Sequence, residues 1–489
     1  MDLLLAYYGD DFTGSTDVME VLQWSGLRTV LFLDPPAPQQ LAAFENLRAY
    51  GVAGWSRTMS PAEMEQELKP ALASLQASGA EIVHYKTCST ADSSPQIGSL
   101  GKALEIGREV CGSACVPILI AAPNLGRYQV FGNLFARSGL DTEPFRLDRH
   151  PTMRQHPITP MQEADMREHF RQQTTLDIAL YDCLKIDAAN VARRSASVSN
   201  AHDRPKVDTL AAITAVTATA ADARAQSLEL PRADAVLFDA LYEHHLPIVG
   251  SLLDRIKVSG QTQFVFGSSG VESALTAFWE QSGQMATLRS HAAGYPAFYA
   301  VEQLVVLTGS CSPVNDRQIR WAQQNGFTTL DIQPARLIDP VTCQNESDAL
   351  VERATEILGR GENLIMHSAR GPGDPRVAQT LEAYRQLGLN ELEIKLNNGR
   401  RLGPKLGEIL QRVLLQQPCQ RVGVAGGDTS GYVARALGLI ALEAIAPLAP
   451  GSPLCRAHAN NELDGIEFMF KGGQVGREDV WGTMLCGTQ

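Results

Sequence analysis

The sequence predicts an α/β protein of two domains. Three observations carry that prediction. Short apolar runs recur along the chain, each followed by a turn rich in glycine and hydroxyl residues and then by a stretch with helical spacing. At 489 residues the chain exceeds what one hydrophobic core ordinarily organises. Between two such series lies GQMATLRSHAAGYPA, which has little periodicity and reads as a linker. The expected division is 1–285, a linker at 286–301, and 302–489, with a cleft between the two α/β domains.

Composition narrows the function. With 44% hydrophobic and 20% charged residues the chain is a soluble globular protein. The net charge of −12 argues against nucleic-acid partners, which need a basic surface. No apolar run reaches the roughly 18 residues of a membrane helix. The opening MDLLLAYYGDD lacks a basic region and is not read as a signal peptide. Nine scattered cysteines, with Cys111 and Cys115 the closest pair, complete no zinc site and suit free thiols in a cytoplasmic protein.

In order, Leu3 to Tyr8 form the first strand, and Gly9, Asp10 and Asp11 follow it. Adjacent carboxylates at a strand's carboxyl end lie where open α/β sheets place ligands. The bland alternative is an acidic turn in which Asp11 or Thr13 caps the next helix. LRTVLFLD reads as a buried strand, and Arg57 follows another short strand, where it matters if the ligand carries a carboxylate. Pro70 is expected to kink or split the helix that follows. Lys86 then ends the strand around Ile82 to Tyr85, and the hydroxyls of Ser89 and Thr90 follow in CSTADSS. Ammonium and hydroxyls together suit a small hydroxylated acid. Cys88 has no histidine in a catalytic signature beside it and reads as a packed thiol.

The next strand, Val116 to Ala121, leads to Asn124 and Arg127. In HPITPMQEADM, Thr159 is expected to cap a helix with Pro160 in its first position and Gln162 in a capping box; His156 just before it is a candidate contact. Residues 186–231 are rich in Ala, Ser and Thr and carry no assignable chemistry. QFVFGSSGVESALTAFW gives a strand, a Gly-Ser-Ser-Gly turn and a helix.

The second domain repeats the theme three times. LVVLTGSCSP ends a strand in Ser310 and Ser312; VGVAGGDTSG places Gly426, Gly427, Asp428, Thr429 and Ser430 between strand and helix; FMFKGGQVG presents Lys471, Gly472 and Gly473. A glycine turn at a helix start gathers free N–H groups at the positive end of the dipole, a ready anion site. Neither a GxxxxGK[ST] loop nor a clean GxGxxG fingerprint is present.

The series GDDFTGSTD, KTCSTADSSPQIGSLG, PNLGRYQVFGNLF, HPITPM, LTGSCSPVNDRQI, GGDTSG and KGGQVG resembles the four-carbon acid sugar kinases over nearly the whole chain. The resemblance implies an N-terminal substrate domain, a C-terminal nucleotide-binding domain, and ATP-dependent phosphorylation of a terminal hydroxyl of a sugar acid, with Mg2+. Family members act on threonate, erythronate and 3-oxo-tetronates. The opening YYGDDFTGSTDVME is most similar to a branch acting on the branched acid 3-oxo-isoapionate.

Under that resemblance Asp428, Asp10 and Asp11 are the candidate acids for the attacking hydroxyl. Asp10, Asp11, Arg57, Lys86, Ser89, Thr90, Asn124, Arg127 and His156 are the candidates for the sugar acid. The three C-terminal turns are those for ATP, and no dedicated metal cage is implied. The expected partner is a small-molecule sugar acid, without nucleic acid or membrane, and a homodimer is the candidate assembly. A lyase or a sensor of sugar acids would use similar turns. Two departures stand out: Ala91 where many members carry Phe, and KGGQVG where many carry KSGGFG.

Overall fold

A computed structural model describes residues 2–138, 142–156, 158–190, 230–256 and 260–488. Most of the Ala/Ser/Thr-rich stretch, residues 191–229, lies outside them. The chain forms two compact units. One holds residues 1–2, 7–58 and 289–489; the other holds residues 3–6 and 59–288. The change of unit after residue 288 falls within the expected linker at 286–301. Residues 7–58, assigned from sequence to the N-terminal domain, pack within the first unit instead.

Strand pairing explains that allegiance. In the first unit, Phe327–Asp331, Asn363–His367, Leu304–Thr308, Arg421–Ala425 and Glu467–Lys471 lie side by side and parallel. Ser452–Ala459 joins Glu467–Lys471 antiparallel, and Leu439–Ala449 joins Ser452–Ala459. Leu439–Ala449 then pairs antiparallel with Thr29–Phe32, placing Ala441 opposite Phe32 and Glu443 opposite Val30, and Ala49–Ala53 follows in parallel. No local pattern in residues 27–34 reveals a partner some 400 positions away. The hairpin strands 439–459 also displace part of the expected helix GYVARALGLI. That helix ends at Ala436, and Gly438, at φ 70°, supplies the left-handed turn into the strand.

The second unit is simpler. Ile82–Lys86, Gln263–Gly267, Val116–Leu119, Ala235–Phe238 and Ile178–Tyr181 are all parallel, as strand–turn–helix repeats require. The first four of these strands are buried throughout, Ala179 and Leu180 of the edge strand are half-buried, and the helices Leu100–Cys111 and Gly270–Ser282 have buried faces too. A Cβ on Gly107 would lie 1.9 Å from the Phe264 ring, so glycine alone lets that helix sit so close to the sheet. A small antiparallel sheet, Arg127–Val130, Asn133–Arg137 and Pro144–Arg146, stands apart from the parallel one.

Two helix expectations need correction. Pro70 does not split its helix, which runs Pro61–Ala77 with Pro70 on the exposed side, where water can serve the carbonyl that loses its donor. Thr159 caps no helix. The helix there is Met166–Arg171, capped by Asp165, and the Thr159 N–H is taken by His156.

Candidate active site

The three glycine and hydroxyl turns of the first unit converge because their strands are neighbours. Leu304–Thr308, Arg421–Ala425 and Glu467–Lys471 are adjacent and parallel, so all three turns leave the same edge of the sheet. Main-chain bonds tie them together: Gly309 N donates to Ala425 O at 2.9 Å and Gly426 N to Lys471 O at 2.9 Å. Ser312 caps the helix Pro313–Gln324 by accepting from Asn315 N at 3.1 Å, and its hydroxyl donates to Gly473 O. The Ser310 hydroxyl accepts from Ser312 N at 3.2 Å.

Glycine is required where the turns interlock. A Cβ on Gly473 would lie 2.0 Å from Ser310 Oγ, and one on Gly309 would lie 2.3 Å from Thr429 Oγ1. Gly426 has φ 129°, outside the range of other residues. Gly427 differs, since a Cβ there meets nothing within 4 Å. It faces open space at the first position of the helix Gly427–Ala436, where an anion is best received. Ser430 is turned away, buried and donating to Gly426 O at 2.7 Å, so its hydroxyl is not a magnesium ligand in this arrangement.

Lys471 lies beneath its turn. It is wholly buried, donates to Gly472 O at 3.1 Å and stands 5.5 Å from the centre of the Trp481 ring. Burial pushes the ammonium down from its ordinary 10.5 to about 7, because an apolar surround disfavours charge.

All three candidate acids line one pocket in the same unit. Asp10, Asp11 and Arg57 meet Gly427 and Asp428 there, along with Trp55, Arg400, Tyr432 and Arg435. Arg57 serves both N-terminal acids. Its Nη2 donates to Asp10 Oδ1 at 2.8 Å and Asp11 Oδ1 at 2.9 Å, while Nε and Nη1 reach the second oxygens at 3.1 and 3.0 Å. Asp11 also caps the helix Phe12–Trp24, accepting from Gly14 N at 2.9 Å, as its bland reading expected. Asp428 is exposed at the start of its helix.

Four pocket residues escaped sequence reading. Arg435 donates from Nη2 to Leu33 O and Ala53 O, both at 2.7 Å, and lies 4.4 Å over the Trp55 ring. It fastens the Asp428 helix to the strand ends that lead to Arg57. A helical signal existed: Asp428, Tyr432 and Arg435 recur at four and three residues, one face of a helix. Trp55 and Arg400 carried no such signal.

The remaining candidates lie in the second unit. Lys86 is 3% exposed at its strand end. Thr90 donates to Asp92 Oδ1 at 2.6 Å, and the half-buried Ser89 carries no side-chain partner among the described residues. Ser93 meets His169 Nε2 at 2.6 Å, and burial pushes that histidine down to about 4, so it is neutral at pH 7. Ala91 is fully buried with φ 53° and does not line an open pocket. Asn124 is exposed; Arg127 is half-buried and donates to Leu125 O. His156 Nδ1 accepts from Thr159 N at 3.1 Å and pairs with its hydroxyl at 3.0 Å, which gives it a turn-holding role in this structure.

Two α/β units, one ending its strands in interlocked phosphate-type turns, define a nucleotide-dependent enzyme of sugar-binding ancestry once the family models are added. Residues 5–275 match the sugar-binding N-terminal domain and residues 305–481 the nucleotide-binding C-terminal domain. The chain belongs to the four-carbon acid sugar kinase family. It is 42% identical over 486 residues to a 3-oxo-isoapionate kinase of Paraburkholderia graminis, covering 99% of this chain and 94% of that relative. It is 28% identical to a 3-oxo-tetronate kinase of Pseudomonas fluorescens, covering 99% and 96%. A Salmonella typhimurium LT2 crystal structure, described as a putative tRNA synthase, has the same fold, with a TM-score of 0.70, 24% identity, and 98% and 97% coverage. Among the described residues no helix is long and apolar enough to cross a membrane.

Proposed function

We propose that the enzyme transfers the γ-phosphoryl group of ATP to a terminal hydroxyl of 3-oxo-isoapionate, giving 3-oxo-isoapionate 4-phosphate. The observation that carries this reading is the 42% identity over 99% of the chain to a 3-oxo-isoapionate kinase, against 28% for the 3-oxo-tetronate kinase of Pseudomonas fluorescens. A linear acid, whether 3-oxo-tetronate, D-threonate or D-erythronate, is the second reading, favoured by the shared family.

In this proposal residues 1–285 bind the sugar acid and 302–489 the nucleotide. The substrate hydroxyl oxygen attacks the γ-phosphorus, the bond from phosphorus to the β,γ-bridging oxygen breaks, and ADP leaves. Catalysis is then chiefly positioning and charge neutralisation. The turns at Ser310–Ser312, Gly426–Thr429 and Lys471–Gly473 receive the phosphates. Gly427, open where a Cβ would stand, supports a close backbone approach there.

Asp428, exposed at the helix start, takes the hydroxyl proton, while Arg57 keeps Asp10 and Asp11 oriented in the same pocket. A carboxylate-lined pocket beside phosphate turns suits Mg2+, which would be held chiefly through the phosphates and water without a dedicated protein cage and whose charge would offset that of the phosphates. Lys86, Ser89, Thr90, Asn124, Arg127 and His156 are the proposed contacts to the acid. A cytoplasmic location and a homodimer complete the reading. Incubation with ATP and 3-oxo-isoapionate should release ADP in step with a phosphorylated acid seen by mass spectrometry. ATP consumption without that product would overturn the assignment.

A further inference from the structure

The 26-residue helix Glu391–Gln416 carries Gly399, Gly403 and Gly407, four residues apart and therefore on one face. Glycine weakens a helix interior, so three on one face need a packing reason. That face meets the helix Gly427–Ala436, whose first turn belongs to the phosphate-type site. A Cβ on Gly403 would lie 2.5 Å from Tyr432 Cβ, and one on Gly407 would lie 2.5 Å from Ala436 Cβ. One on Gly399 would lie 3.2 Å from Asp428 Cβ and 3.6 Å from its Oδ2. The helices are closer than side chains at 403 and 407 would permit, and the seam ends against the carboxylate proposed to take the substrate's proton.

The seam places Arg400, the residue after Gly399. Arg400 is exposed and lines the pocket that holds Gly427, Asp428, Asp10 and Asp11. Its guanidinium donates to the hydroxyl of Tyr432, one helical turn beyond Asp428. The Tyr432 ring stands 6.2 Å from the Trp55 ring, over which Arg435 lies. Arg57 and Arg435 build the pocket wall, the first through Asp10 and Asp11, the second through Leu33 O and Ala53 O. Three carboxylates line the space between these groups, and a phosphoryl group entering among them needs compensating positive charge.

We infer that Arg400 is a catalytic residue whose guanidinium meets the phosphoryl group as it passes from ATP to the sugar acid. The inference rests on the kinase reading above and adds to it a residue that none of the glycine turns contains. With Asp428 as proton acceptor, the attacking hydroxyl lies beside Asp428, and the γ-phosphorus lies in line between that hydroxyl and ADP. A cation in the same pocket then stands beside the transferring group. The bond from the hydroxyl oxygen to phosphorus forms as the bond to the β,γ-bridging oxygen breaks. Negative charge meanwhile spreads over the three equatorial oxygens. A planar fork of N–H donors matches two of those oxygens at once. The substrate's proton goes to Asp428, and Arg400 keeps its own throughout.

The test is Arg400→Ala, at an exposed position where the Tm should hold. The variant should lose about 10²-fold or more in kcat with 3-oxo-isoapionate, while its ATP KM changes less than about threefold, because the contact strengthens in the transition state. A kcat within about threefold of the parent, or an ATP KM that rises as far as kcat falls, would overturn the role. Calorimetric titration with MgADP, alone and with aluminium fluoride as a mimic of the transferring group, separates a charge contact from a merely structural one. Aluminium fluoride should tighten MgADP binding to the parent by about tenfold or more, and Arg400→Ala should lose that gain while binding MgADP alone as the parent does. Equal gains, or no gain in the parent, would overturn the inference. If the parent phosphorylates no sugar acid, the kinase reading fails, and the same titration without the acid still decides whether Arg400 meets a phosphoryl group.

Discussion

Lys471 and Lys86 both end a buried parallel strand, and both precede a turn of small residues. In sequence they look alike; in the fold they are opposites. Lys471 has spent its ammonium on the carbonyl of Gly472, under an aromatic ring, and burial holds it down to about 7. Lys86 is as deeply placed and has nothing to donate to among the described residues. The first is part of how a turn is built. The second makes no such bond among the described residues, and we propose that it meets the sugar acid. A strand-end lysine thus acquires its meaning from the turn's hydrogen bonds, which sequence does not display.

Several substitutions sharpen that contrast. The largest effect should come from the pocket that joins Asp428 to Arg57. Asp428→Asn should lower kcat by about 10²-fold or more, the range for a positioned proton acceptor, with the ATP KM little changed. Stopped-time ADP assays check it, and a kcat within about threefold of the parent would pass the role to Asp10 or Asp11. Next, Lys86→Met should raise the sugar-acid KM about 10- to 100-fold, the worth of a charge-assisted bond, and leave the ATP KM alone. Equal rises in both would indicate a folding defect instead.

Gly427→Val should act on the other ligand. Its side chain enters open space, so the Tm should hold, while ATP binding weakens by about tenfold or more as the phosphate approach is blocked. Calorimetric ATP affinity within a factor of about two of the parent would remove this turn from the site.

Lys471→Met should show in stability. The folded lysine has its pKa lowered from 10.5 to about 7, so between those values the unfolded chain holds the extra proton. The nucleotide-free parent should therefore gain stability as pH rises through that window, by at most about 1.4 kcal/mol per pH unit from this group, and the Met variant should lose that slope. Urea titrations at pH 7 and 9 measure the difference. The smallest effect is expected from Ala91→Phe. With Ala91 fully buried, overpacking should cost about 1–3 kcal/mol and lower the Tm, without a selective change in substrate preference.

Much of this was legible in the chain. Each strand-turn-helix repeat carried its own local signal, so the turns at Ser310, Gly426 and Gly472 and the α/β class could be read residue by residue. What required structure was long-range. The pairing of Thr29–Phe32 with Leu439–Ala449 draws residues 7–58 into the first unit, and no window of sequence contains both strands. Thr159 had every local mark of a helix cap, yet His156 took its N–H and the helix began only at Met166, capped by Asp165. Arg57 reads at its strand end as mattering if the ligand carries a carboxylate, and the structure adds its bonds to two carboxylates of its own chain. Ala91 stood out as a departure from the Phe of many family members, and it is packed. In each case a tertiary partner, invisible to spacing, decided the role.

The central claim is that this family member prefers a branched 3-oxo acid. Measuring kcat/KM side by side for 3-oxo-isoapionate, D-threonate and D-erythronate tests it most directly. A site that hydrogen-bonds the extra hydroxymethyl group should favour 3-oxo-isoapionate by about 10²-fold or more. Faster turnover of D-threonate or D-erythronate at low concentration would contradict the claim and leave a kinase of linear four-carbon acids.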